Sequence, residues 1–417
     1  MTATRRAASS SPPIEHSAFD YKWMARALAL ARKGEALAHP NPMVGAIVVA
    51  GDLEVGKGVH TYDGLKHAEV LALEAAGGRA RGATLYVNLE PCCHTGRTPP
   101  CTDAIRAAGI SRVVAAMPDP NPRVAGRGFA ILRRAGIEVV TGVLEADARR
   151  LNEAFACWIR TGRPLVTLKV ALTLDGRVAL DGAAPARSAR SSRERERWIT
   201  SEISRAEVQR MRHASDAVLT GIGTVLADDP LLTDRTGLAR RRPLVRAVLD
   251  SRLRLPLRSN LARTADGDVL LLTRASENSA RAFTLECAGV ETLRIGGSRG
   301  AKRPPSRPPA RGAGLPLEHV VEALGELDLL AVMIEAGPRL VSAALAAGVV
   351  DKAVLFYAPR FEGGSALPML PVLDGDRKRR KAGRTALRVP ELRDVTLRRF
   401  GPDFAVEGYL RDVYGDR

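Results

Sequence analysis

Short apolar runs that suit buried strands alternate with helix-like segments along almost the whole 417-residue chain. In the first third these runs span residues 44–50, 84–89, 112–117 and 138–141. The segments between and around them carry apolar residues at helical spacing, at residues 21–33, 67–76, 102–108 and 126–134. This alternation predicts an α/β fold whose first sheet, covered by helices on both faces, is complete by about residue 150.

A second alternating region begins with the apolar run 165–172. Further strands are expected at residues 217–219, 244–249, 269–273, 331–335 and 352–357. One helix over residues 145–160 is predicted to connect the two regions. Gly162 and Pro164 are expected to end it. We therefore expect a disordered tail (1–17), a first domain (18–150), a connecting helix and linker (151–163) and a second domain (164–417).

The formal net charge of +17 first suggests a nucleic-acid partner. Three segments rich in Arg, Ser, Pro and Gly are expected to be mobile loops, at residues 183–197, 296–316 and 377–384. Their basic stretches contribute +3, +5 and +6, so 14 of the 17 excess charges lie in these loops. Aromatic residues make up only 4% of the chain, which leaves few stacking platforms for bases. These features argue against nucleic acid as the partner.

Membrane insertion and a disulfide framework are also disfavoured. The longest apolar run, residues 340–350, falls short of the roughly 18 residues that span a bilayer, and residues 1–13 lack the apolar core of a secretory signal. The five cysteines are an odd number, and three of them lie within residues 92–101. We therefore expect a cytoplasmic protein with a metal or catalytic cluster, in which Cys157 and Cys287 are packed thiols.

His67-Ala-Glu69, followed by Cys92 after a proline and then by Cys101, forms the strongest chemical pattern. One imidazole and two thiolates suit Zn²⁺ and leave a fourth tetrahedral position for water. Glu69 is then expected to be the catalytic base, close to the metal without being a ligand. The combination is typical of zinc-dependent nucleobase deaminases, although eight residues rather than two separate these cysteines.

The second region contains no Gly-x-Gly-x-x-Gly after a strand, so a Rossmann dinucleotide site is not supported. Two shorter turns remain as candidates, Gly221-Ile-Gly-Thr224 and Glu335-Ala-Gly-Pro338. The second of them follows an apolar strand and places a proline near a helix N-terminus, where backbone N–H groups can bind phosphate oxygens.

Ordered motifs give the chain a more specific likeness. In the first half these are His39-Pro-Asn-Pro42, His67-Ala-Glu-Val70, Leu89-Glu-Pro-Cys92, His94-Thr-Gly-Arg-Thr-Pro-Pro-Cys101 and Asp119-Pro-Asn-Pro-Arg-Val-Ala-Gly-Arg-Gly128. In the second half they are Lys169-Val-Ala-Leu-Thr-Leu-Asp-Gly-Arg177, Trp198-Ile-Thr-Ser201, Gly223-Thr-Val-Leu-Ala-Asp-Asp-Pro230, Asp250-Ser251 and Glu335-Ala-Gly-Pro338. From about Tyr21 onward the chain resembles the bifunctional deaminase/reductase family of riboflavin biosynthesis, in which the longer spacing between the cysteines is usual.

The resemblance implies a cytidine-deaminase-like three-layer domain followed by a dihydrofolate-reductase-like domain. It implies zinc-dependent hydrolytic deamination of 2,5-diamino-6-(5-phosphoribosylamino)pyrimidin-4-one, then reduction of the ribose to a ribityl chain by NADPH. The implied zinc ligands are His67, Cys92 and Cys101, with Cys93 as the rival placed second, because the family ligand directly follows Pro91. A homo-oligomer is a further expectation.

The resemblance also places residues around the ligands. Those expected to hold NADPH are Ala171, Trp198, Thr224, Asp228, Ser251, Gly337, Pro338, Arg339, Leu340, Val341, Ser342 and Ala343. Those expected to face the substrate of the reductase are Arg212, Leu232, Arg235 and Glu335, and the arginines suit bidentate phosphate capture. In the deaminase half, Asn41 and His60 fall where the family contacts the pyrimidine, with His94 and Arg97 near the phosphate end. Glu196 stands where the family usually has serine.

Two alternatives remain open at this point. The chain could be a zinc deaminase whose reductase-like half is an inactive scaffold, or a deaminase that acts on bases in RNA. NADPH oxidation that depends on the deaminated substrate distinguishes both from the bifunctional enzyme.

Overall fold

The computed structural model of the chain describes residues 16–178, 198–296, 314–363, 366–370 and 391–415. The expected mobile loops 183–197 and 377–384 lie outside the described residues, as does 296–316 apart from its ends. Glu196 and most of the expected tail lie outside them too. The chain divides into two compact units, the first formed by Met1–Gly34 and Met43–Leu151, the second by Glu35–Pro42 and Asn152–Arg417.

The first unit is built on a five-stranded sheet. Its strands are β1 (Gly45–Ala50), β2 (Leu53–Val59), β3 (Thr84–Val87), β4 (Arg112–Ala115) and β5 (Glu138–Thr141). Its α-helices are α1 (Ala18–Ala31), α2 (Ala68–Ala76), α3 (Cys101–Ala107), α4 (Arg127–Arg134) and α5 (Glu145–Leu151). The strand order is β2-β1-β3-β4-β5, in which β1 is antiparallel to both neighbours and β3, β4 and β5 are parallel.

Helices cover both faces of this sheet. A side chain at Gly45 would point at the backbone of α1, whereas one at Gly58 would point at α2. Gly58 is the cross-strand partner of Ala46, and successive residues of a strand face opposite sides. It follows that α1 and α2 lie on opposite faces, as the alternation of strands and helices predicts.

Strand β2 is missing from the sequence-based prediction, and its glycines explain why. A Cβ atom at Gly56 would lie 2.1 Å from the carbonyl oxygen of Ala72, and one at Gly58 would lie 2.2 Å from that of Ala68. At Gly56 and Gly58, the positions that face α2, the strand therefore has no side chains. The alternating apolar pattern that identifies a strand is absent there. Glycine in a strand interior often marks such a close backbone approach.

A buried polar network ties α1 to β3 and β4. The Asp20 carboxylate, 3% exposed, accepts two hydrogen bonds from the Arg112 guanidinium at 2.8 and 3.0 Å. The Tyr86 hydroxyl donates a third at 2.9 Å. These donors, Arg112 above all, outweigh the effect of burial and lower the pKa of Asp20 to about 2.

The second unit contains a nine-stranded sheet. Its strands are β6 (Leu165–Thr173), β7 (Ala217–Gly221), β8 (Val245–Leu249), β9 (Val269–Thr273), β10 (Val290–Arg294), β11 (Ala331–Glu335), β12 (Lys352–Ala358), β13 (Arg393–Phe400) and β14 (Asp403–Tyr409). Its α-helices are α6 (Glu153–Thr161), α7 (Glu202–Ala214), α8 (Ile222–Asp228), α9 (Asn260–Arg263), α10 (Ala280–Glu286), α11 (Leu317–Glu326) and α12 (Pro338–Ala346). The strand order is β10-β9-β8-β7-β11-β6-β12-β14-β13, parallel except for the pairs that involve β14.

This sheet has an apolar core on each face. Along β7, Ala217 and Leu219 belong to one buried cluster, whereas Val218 between them belongs to the other. Burial on both faces is typical of parallel strands and explains why β7 and β9 appear in the sequence as continuous apolar runs. Strands β10, β13 and β14 were not predicted, because polar residues interrupt them and β13 is largely exposed at the sheet edge.

The prediction of one connecting helix over residues 145–160 is wrong. Two helices, α5 and α6, occupy the region and are separated at Asn152, whose φ of −107° and ψ of 20° are not helical. Asn152 is 2% exposed, so the break is packed inside the protein. Helix α6 belongs to the second unit.

The segment Glu35–Pro42 precedes β1 in the chain but packs within the second unit. The His39 Nδ1 atom lies 3.0 Å from each carboxylate oxygen of Asp216. Arg241 donates its backbone N–H to the Ala36 carbonyl at 2.9 Å and its Nη1 to the His39 carbonyl at 3.1 Å. An ion pair and backbone hydrogen bonds thus hold this segment.

None of the helices in the described part of the chain is both long and apolar enough to cross a membrane.

We expect Asp20→Asn to destabilise the first unit by about 2 kcal/mol at neutral pH, because one pKa unit corresponds to about 1.4 kcal/mol. The pKa of Asp20 is lowered from its ordinary value of 3.8 to about 2. Its stabilising effect is therefore complete above pH 3.8 and is lost as the pH falls toward 2, where the difference between the proteins should shrink. Urea unfolding followed by Trp23 fluorescence, with Trp158 and Trp198 replaced by Phe, measures it.

Asp103→Asn is the matched control, since Asp103 forms an exposed pair with Arg106 at 3.5 Å. Exposed pairs contribute little, so this variant should unfold like the parent protein. Equal stability of the Asp20→Asn variant and the control at pH 7 would contradict the importance of the buried network.

Candidate active sites

Helix α2 and the turn after β3 bring the predicted zinc ligands together. His67 is the N-cap of α2, Cys92 lies in the turn and Cys101 is the first residue of α3. The His67 Nδ1 atom lies 3.1 Å from the Cys101 Sγ atom and 3.4 Å from that of Cys92. All three atoms lie within 4.8 Å of one another, and no other metal-binding group of this kind occurs among the described residues.

The triangle fits Zn²⁺. With bonds of about 2.0–2.3 Å, a tetrahedral zinc ion separates its nitrogen and sulfur ligand atoms by roughly 3.5 Å, close to the two nitrogen–sulfur distances of 3.1 and 3.4 Å. The second ring nitrogen of His67 faces the Thr98 hydroxyl at 3.4 Å. Metal-bound histidines commonly donate this N–H to a neighbouring acceptor, which orients the ring. Thr98 is a supporting residue that the sequence reasoning missed.

The hydrogen bonds around the two cysteines favour a negative charge on Cys92. A hydrogen bond from the Cys101 thiol, with another from His67, holds the pKa of Cys92 well below its ordinary value. The backbone N–H of Cys101 also donates to the Cys92 Sγ atom at 3.3 Å. Cys92 therefore carries negative charge readily, as a metal ligand must. The same hydrogen bond raises the pKa of Cys101, so a metal ion would have to displace the proton of that thiol.

Glu69 lies one helical position past Ala68 and is 4% exposed. Burial, reinforced by the nearby Cys92, raises its pKa to about 7. A carboxyl group with this pKa can both take up and release a proton near neutral pH. The structure thus brings Glu69 to the three potential ligands.

The other residues predicted around this site differ in their settings. His60 is 3% exposed, its Nδ1 atom lies 3.0 Å from the Lys66 carbonyl oxygen, and its ring packs edge-on against His67. His94 and Arg97 are exposed, and the Arg97 guanidinium lies 4.3 Å from the centre of the Tyr62 ring. Asn41 lies in the segment Glu35–Pro42 of the second unit.

The remaining cysteines stand apart from the triangle. Cys93 is not part of the metal-binding group, and Cys157 is buried as expected. The prediction that Cys287 is a packed thiol is wrong. It is the exposed C-cap of α10, a helix that buries Ala282 and Leu285 on its other side.

In the second unit, neighbouring parallel strands bring the predicted cofactor residues to one sheet edge. The order β8-β7-β11-β6 places Ser251 just after β8, Gly221 at the end of β7, and Glu335 at the end of β11. Ala171 lies near the end of β6. Ligands of open parallel sheets bind outside this carboxyl edge. The edge therefore offers a nucleotide site without a Rossmann fingerprint.

Two turns meet at this edge. The Gly337 backbone N–H donates to the Thr224 hydroxyl at 3.3 Å, which joins the turn before α12 to helix α8. Gly337 is the N-cap of α12 and Pro338 follows it. The buried hydroxyls of Thr220 and Ser342 have no hydrogen-bond partner within the described residues, and they offer polar contacts to a ligand. Together these features fit a dinucleotide phosphate group.

The other predicted NADPH residues vary in exposure. Trp198 is 52% exposed, with the Arg205 guanidinium 5.1 Å from its ring centre. Asp228 and Arg339 are exposed, whereas Leu340 and Ala343 are half-buried. The Val341 side chain is fully buried in the core, so its backbone alone is available to a ligand.

Glu335 organises a cluster of charges at the end of β11. It accepts hydrogen bonds from Arg212 Nε at 2.6 Å and from Arg212 Nη2 at 3.1 Å, and Lys169 Nζ lies 3.5 Å away. Burial opposes ionisation, but Lys169 and Arg212 outweigh it and lower the pKa of Glu335 to about 2. The sequence reasoning missed Lys169 as a site residue, since only the pairing of β6 with β11 places it opposite Glu335.

Two predicted substrate residues have other contacts. Arg212 uses its guanidinium on Glu335 and on the Thr233 carbonyl, so it is not free for bidentate phosphate capture in this arrangement. The Leu232 side chain is 5% exposed and lies in the apolar core, which leaves its backbone for a ligand. Arg235 is exposed, as a phosphate ligand would be.

Comparisons with known proteins match both halves of the chain. Residues 17–117 match the cytidine and deoxycytidylate deaminase zinc-binding region, and residues 164–406 match the RibD C-terminal domain. The chain therefore joins a zinc-dependent deaminase region to a reductase domain, which confirms the predicted fold class. It belongs to the RibD family of riboflavin biosynthesis proteins.

The similarity extends over almost the whole chain. A riboflavin biosynthesis protein RibD from Aquifex aeolicus is 42% identical over 345 residues, which cover 82% of this chain and 88% of that protein. The solved structure of Acinetobacter baumannii RibD is similar with a TM-score of 0.74 and 36% identity, covering 94% of this chain and 98% of that one. A diaminohydroxyphosphoribosylaminopyrimidine deaminase/5-amino-6-(5-phosphoribosylamino)uracil reductase from Thermotoga maritima gives a TM-score of 0.72 and 33% identity with the same coverage.

We expect the purified protein to bind about one zinc ion per chain. Cys92→Ser and Cys101→Ser should each weaken zinc binding at least tenfold, because each removes a thiolate from the triangle. Cys93→Ser is the matched control and should keep its zinc. Metal analysis after dialysis against a graded series of chelator concentrations measures the affinities, and loss of zinc from the Cys93→Ser variant alone would contradict the assignment.

Proposed function

We propose that the chain catalyses two consecutive steps of riboflavin biosynthesis. In the first unit the ring amino group of 2,5-diamino-6-(5-phosphoribosylamino)pyrimidin-4-one is removed by hydrolysis. In the second unit the ribose of the product is reduced to a ribityl chain with NADPH. The observation that carries the proposal is the His67, Cys92 and Cys101 triangle beside the buried Glu69, in a chain similar to RibD proteins along both halves.

The deaminase step follows from the residues of the triangle. His67, Cys92 and Cys101 would hold Zn²⁺, which when bound lowers the pKa of a coordinated water and supplies a hydroxide nucleophile at neutral pH. Glu69 would accept a proton from the water whose oxygen bonds to the ring carbon and pass it to the amino group, which leaves as ammonia when its bond to that carbon breaks. The second proton of the water would remain on the ring amide of the product. Burial raises the pKa of Glu69, whereas a bound Zn²⁺ would lower it, so the two effects would oppose each other in the loaded site.

Residues around the triangle would bind the pyrimidine and its phosphoribosyl group. His60 is proposed to contact the ring, and His94 and Arg97 the phosphate end. The low exposure of His60 supports a role at the base, because burial lowers its pKa and keeps the imidazole neutral. The exposure of His94 and Arg97 supports contact with an anionic group at the rim.

The reductase step is assigned to the carboxyl edge of the second sheet. NADPH supplies the hydride, and its phosphates would lie at the start of α12, near Gly337 and Thr224. Ala171, Trp198, Asp228 and Ser251 are proposed to complete the cofactor site. The substrate would meet Glu335, Arg212, Arg235 and the backbone of Leu232. The contact of Lys169 with Glu335 supports adding Lys169 to this group.

The two alternatives from the sequence are not favoured. A deaminase that acts on RNA bases would not need the RibD C-terminal domain, which matches residues 164–406. The cluster of Lys169, Arg212 and Glu335 at the sheet edge argues against an inactive scaffold, because charged groups with shifted pKa values often mark functional sites. We further propose that the protein works in the cytoplasm as a homo-oligomer, and sedimentation velocity tests its assembly.

A coupled assay tests the proposed function. The diamino substrate should release ammonia first, and NADPH oxidation should follow only as the deaminated product forms. NADPH alone, or NADPH with the diamino substrate after zinc has been removed by a chelator, should give no oxidation. Ammonia release without later NADPH oxidation would support the scaffold alternative instead.

We expect Glu69→Gln to keep zinc and to reduce ammonia release by a factor of at least about 100, because a general acid–base group contributes about 10²- to 10⁴-fold. The same variant should oxidise NADPH at the normal rate when the deaminated substrate is supplied directly. Glu74→Gln on the same helix is the matched control, since Glu74 is half exposed and pairs only with Lys66 among the described residues. Unchanged ammonia release by the Glu69→Gln variant would exclude its proposed role.

A further inference from the structure

We propose that Glu90 is a positioning residue of the deaminase site: its buried carboxylate fixes the Cys92 turn and the loop before α4 in one arrangement. The proposal rests on the proposed function only in treating Cys92 as a zinc ligand. Glu90 is 2% exposed and lies two residues before Cys92, between that residue and the end of β3. The deaminase chemistry derived above gives Glu90 no role.

Four backbone N–H groups donate to this one carboxylate. Asp119 and Gly126 donate to Oε2 at 3.1 and 2.8 Å. Gly128 and Phe129 donate to Oε1 at 2.8 and 3.2 Å. A buried carboxylate is stable only when such bonds replace its hydration, and hydrogen bonds to a charged acceptor are stronger than neutral ones. The N–H groups of the loop therefore need the carboxylate as their acceptor, and the buried carboxylate needs these donors in place of water.

Glu90 also caps helix α4 from outside the helix. Gly126 is the N-cap of α4 and has no side chain to accept from the first turn, to which Gly128 and Phe129 belong. The Oε1 atom of Glu90 takes those two N–H groups instead. A negative charge at a helix N-terminus is favourable, because the unpaired N–H groups there carry partial positive charge.

The fit between the two segments leaves no space for a larger residue. A Cβ atom at Gly128 would lie 2.2 Å from the Pro91 carbonyl oxygen and 3.1 Å from Glu90 Oε1. Helix α4 thus begins in direct contact with the peptide that leads into Cys92. The motifs at residues 89–92 and 119–128, which are far apart in sequence, form one structural unit.

Cys92 is held on its other side by α3. Its carbonyl accepts from the Thr102 N–H at 3.2 Å, and its Sγ atom accepts from the Cys101 N–H at 3.3 Å. The ligand therefore lies between two fixed elements, α3 and the Glu90 cap. Because a site works only when its groups are held within about 0.5 Å of the productive geometry, loss of the cap should shift the Cys92 sulfur.

Glu90→Gln tests this role with little change in shape. A carboxylamide has one acceptor and one donor group, so in either orientation its NH₂ group would face two N–H donors. We expect zinc affinity to fall about 10- to 100-fold, the usual effect of losing a group that supports a ligand. At saturating zinc, kcat for ammonia release should fall by more than KM changes. Glu54→Gln, at a surface pair with Arg26, is the control.

Cobalt supplies a readout that is independent of activity. The zinc-free protein, reconstituted with Co²⁺, should show ligand-field absorption bands in the Glu90→Gln variant that are shifted from those of the parent and of Glu54→Gln. Reduction of the directly supplied deaminated substrate should stay normal. A less stable protein with parent-like zinc affinity, Co²⁺ spectrum and kcat would show that Glu90 supports only α4, and would overturn the proposal.

Gly128→Ala provides a second, independent variant. It leaves the Glu90 carboxylate intact but pushes the start of α4 away from Pro91, so it should shift the Co²⁺ bands in the same way. The effects of the two substitutions should not add in the double variant, because both break one unit. If Glu90→Gln does not fold, Gly128→Ala decides, and parent-like bands there overturn the proposal. Absence of ammonia release by the parent protein would refute the proposed function but leave the zinc and cobalt comparison valid.

Discussion

The deaminase site depends on direct backbone contact between helix α2 and strand β2. Gly56 and Gly58 turn toward the carbonyl oxygens of Ala72 and Ala68, at distances that allow no side chain between the helix and the sheet. The helix that begins after His67 and carries Glu69 is therefore fixed at backbone distance from the sheet. A helix packed through side chains could shift as those side chains repack, whereas this one cannot move without separating from the strand.

In the first unit, the sequence predicted the residues of the site better than the residues that hold them in position. His67, Glu69 and Cys101 were predicted from residue type and spacing, and Cys92 was preferred to Cys93 on the family resemblance; the structure brings all four together. Thr98 and Glu90 were missed as supporting residues because their partners are a ring nitrogen and backbone N–H groups. Backbone donors are present at nearly every residue, so a sequence cannot show which of them meet a given carboxylate.

Local sequence also explains where the predicted secondary structure, and the predicted site of the second unit, differ from the structure. Continuous apolar runs identified the strands that are buried on both faces. Strands β2 and β13 lack such runs, because β2 contains glycines and β13 contains polar residues. The break at Asn152 was missed because helical periodicity continues on both sides of it. Lys169 could be recognised as a site residue only from the pairing of β6 with β11, because local sequence does not reveal strand order.

The segment Glu35–Pro42 has a consequence for how the chain can be divided. Because it lies in sequence before β1 but folds with the second unit, no single cut between residues 151 and 163 yields two self-sufficient pieces. The N-terminal fragment would keep His39 and lose the carboxylate of Asp216. The C-terminal fragment would keep Asp216 and the N–H groups of Leu330 and Ala331 that donate to it, but would lose His39 as the partner of its charge. Because a solvated His39 can release its proton, the cost of separating the halves would fall mainly on Asp216, whose carboxylate would lose the imidazole partner.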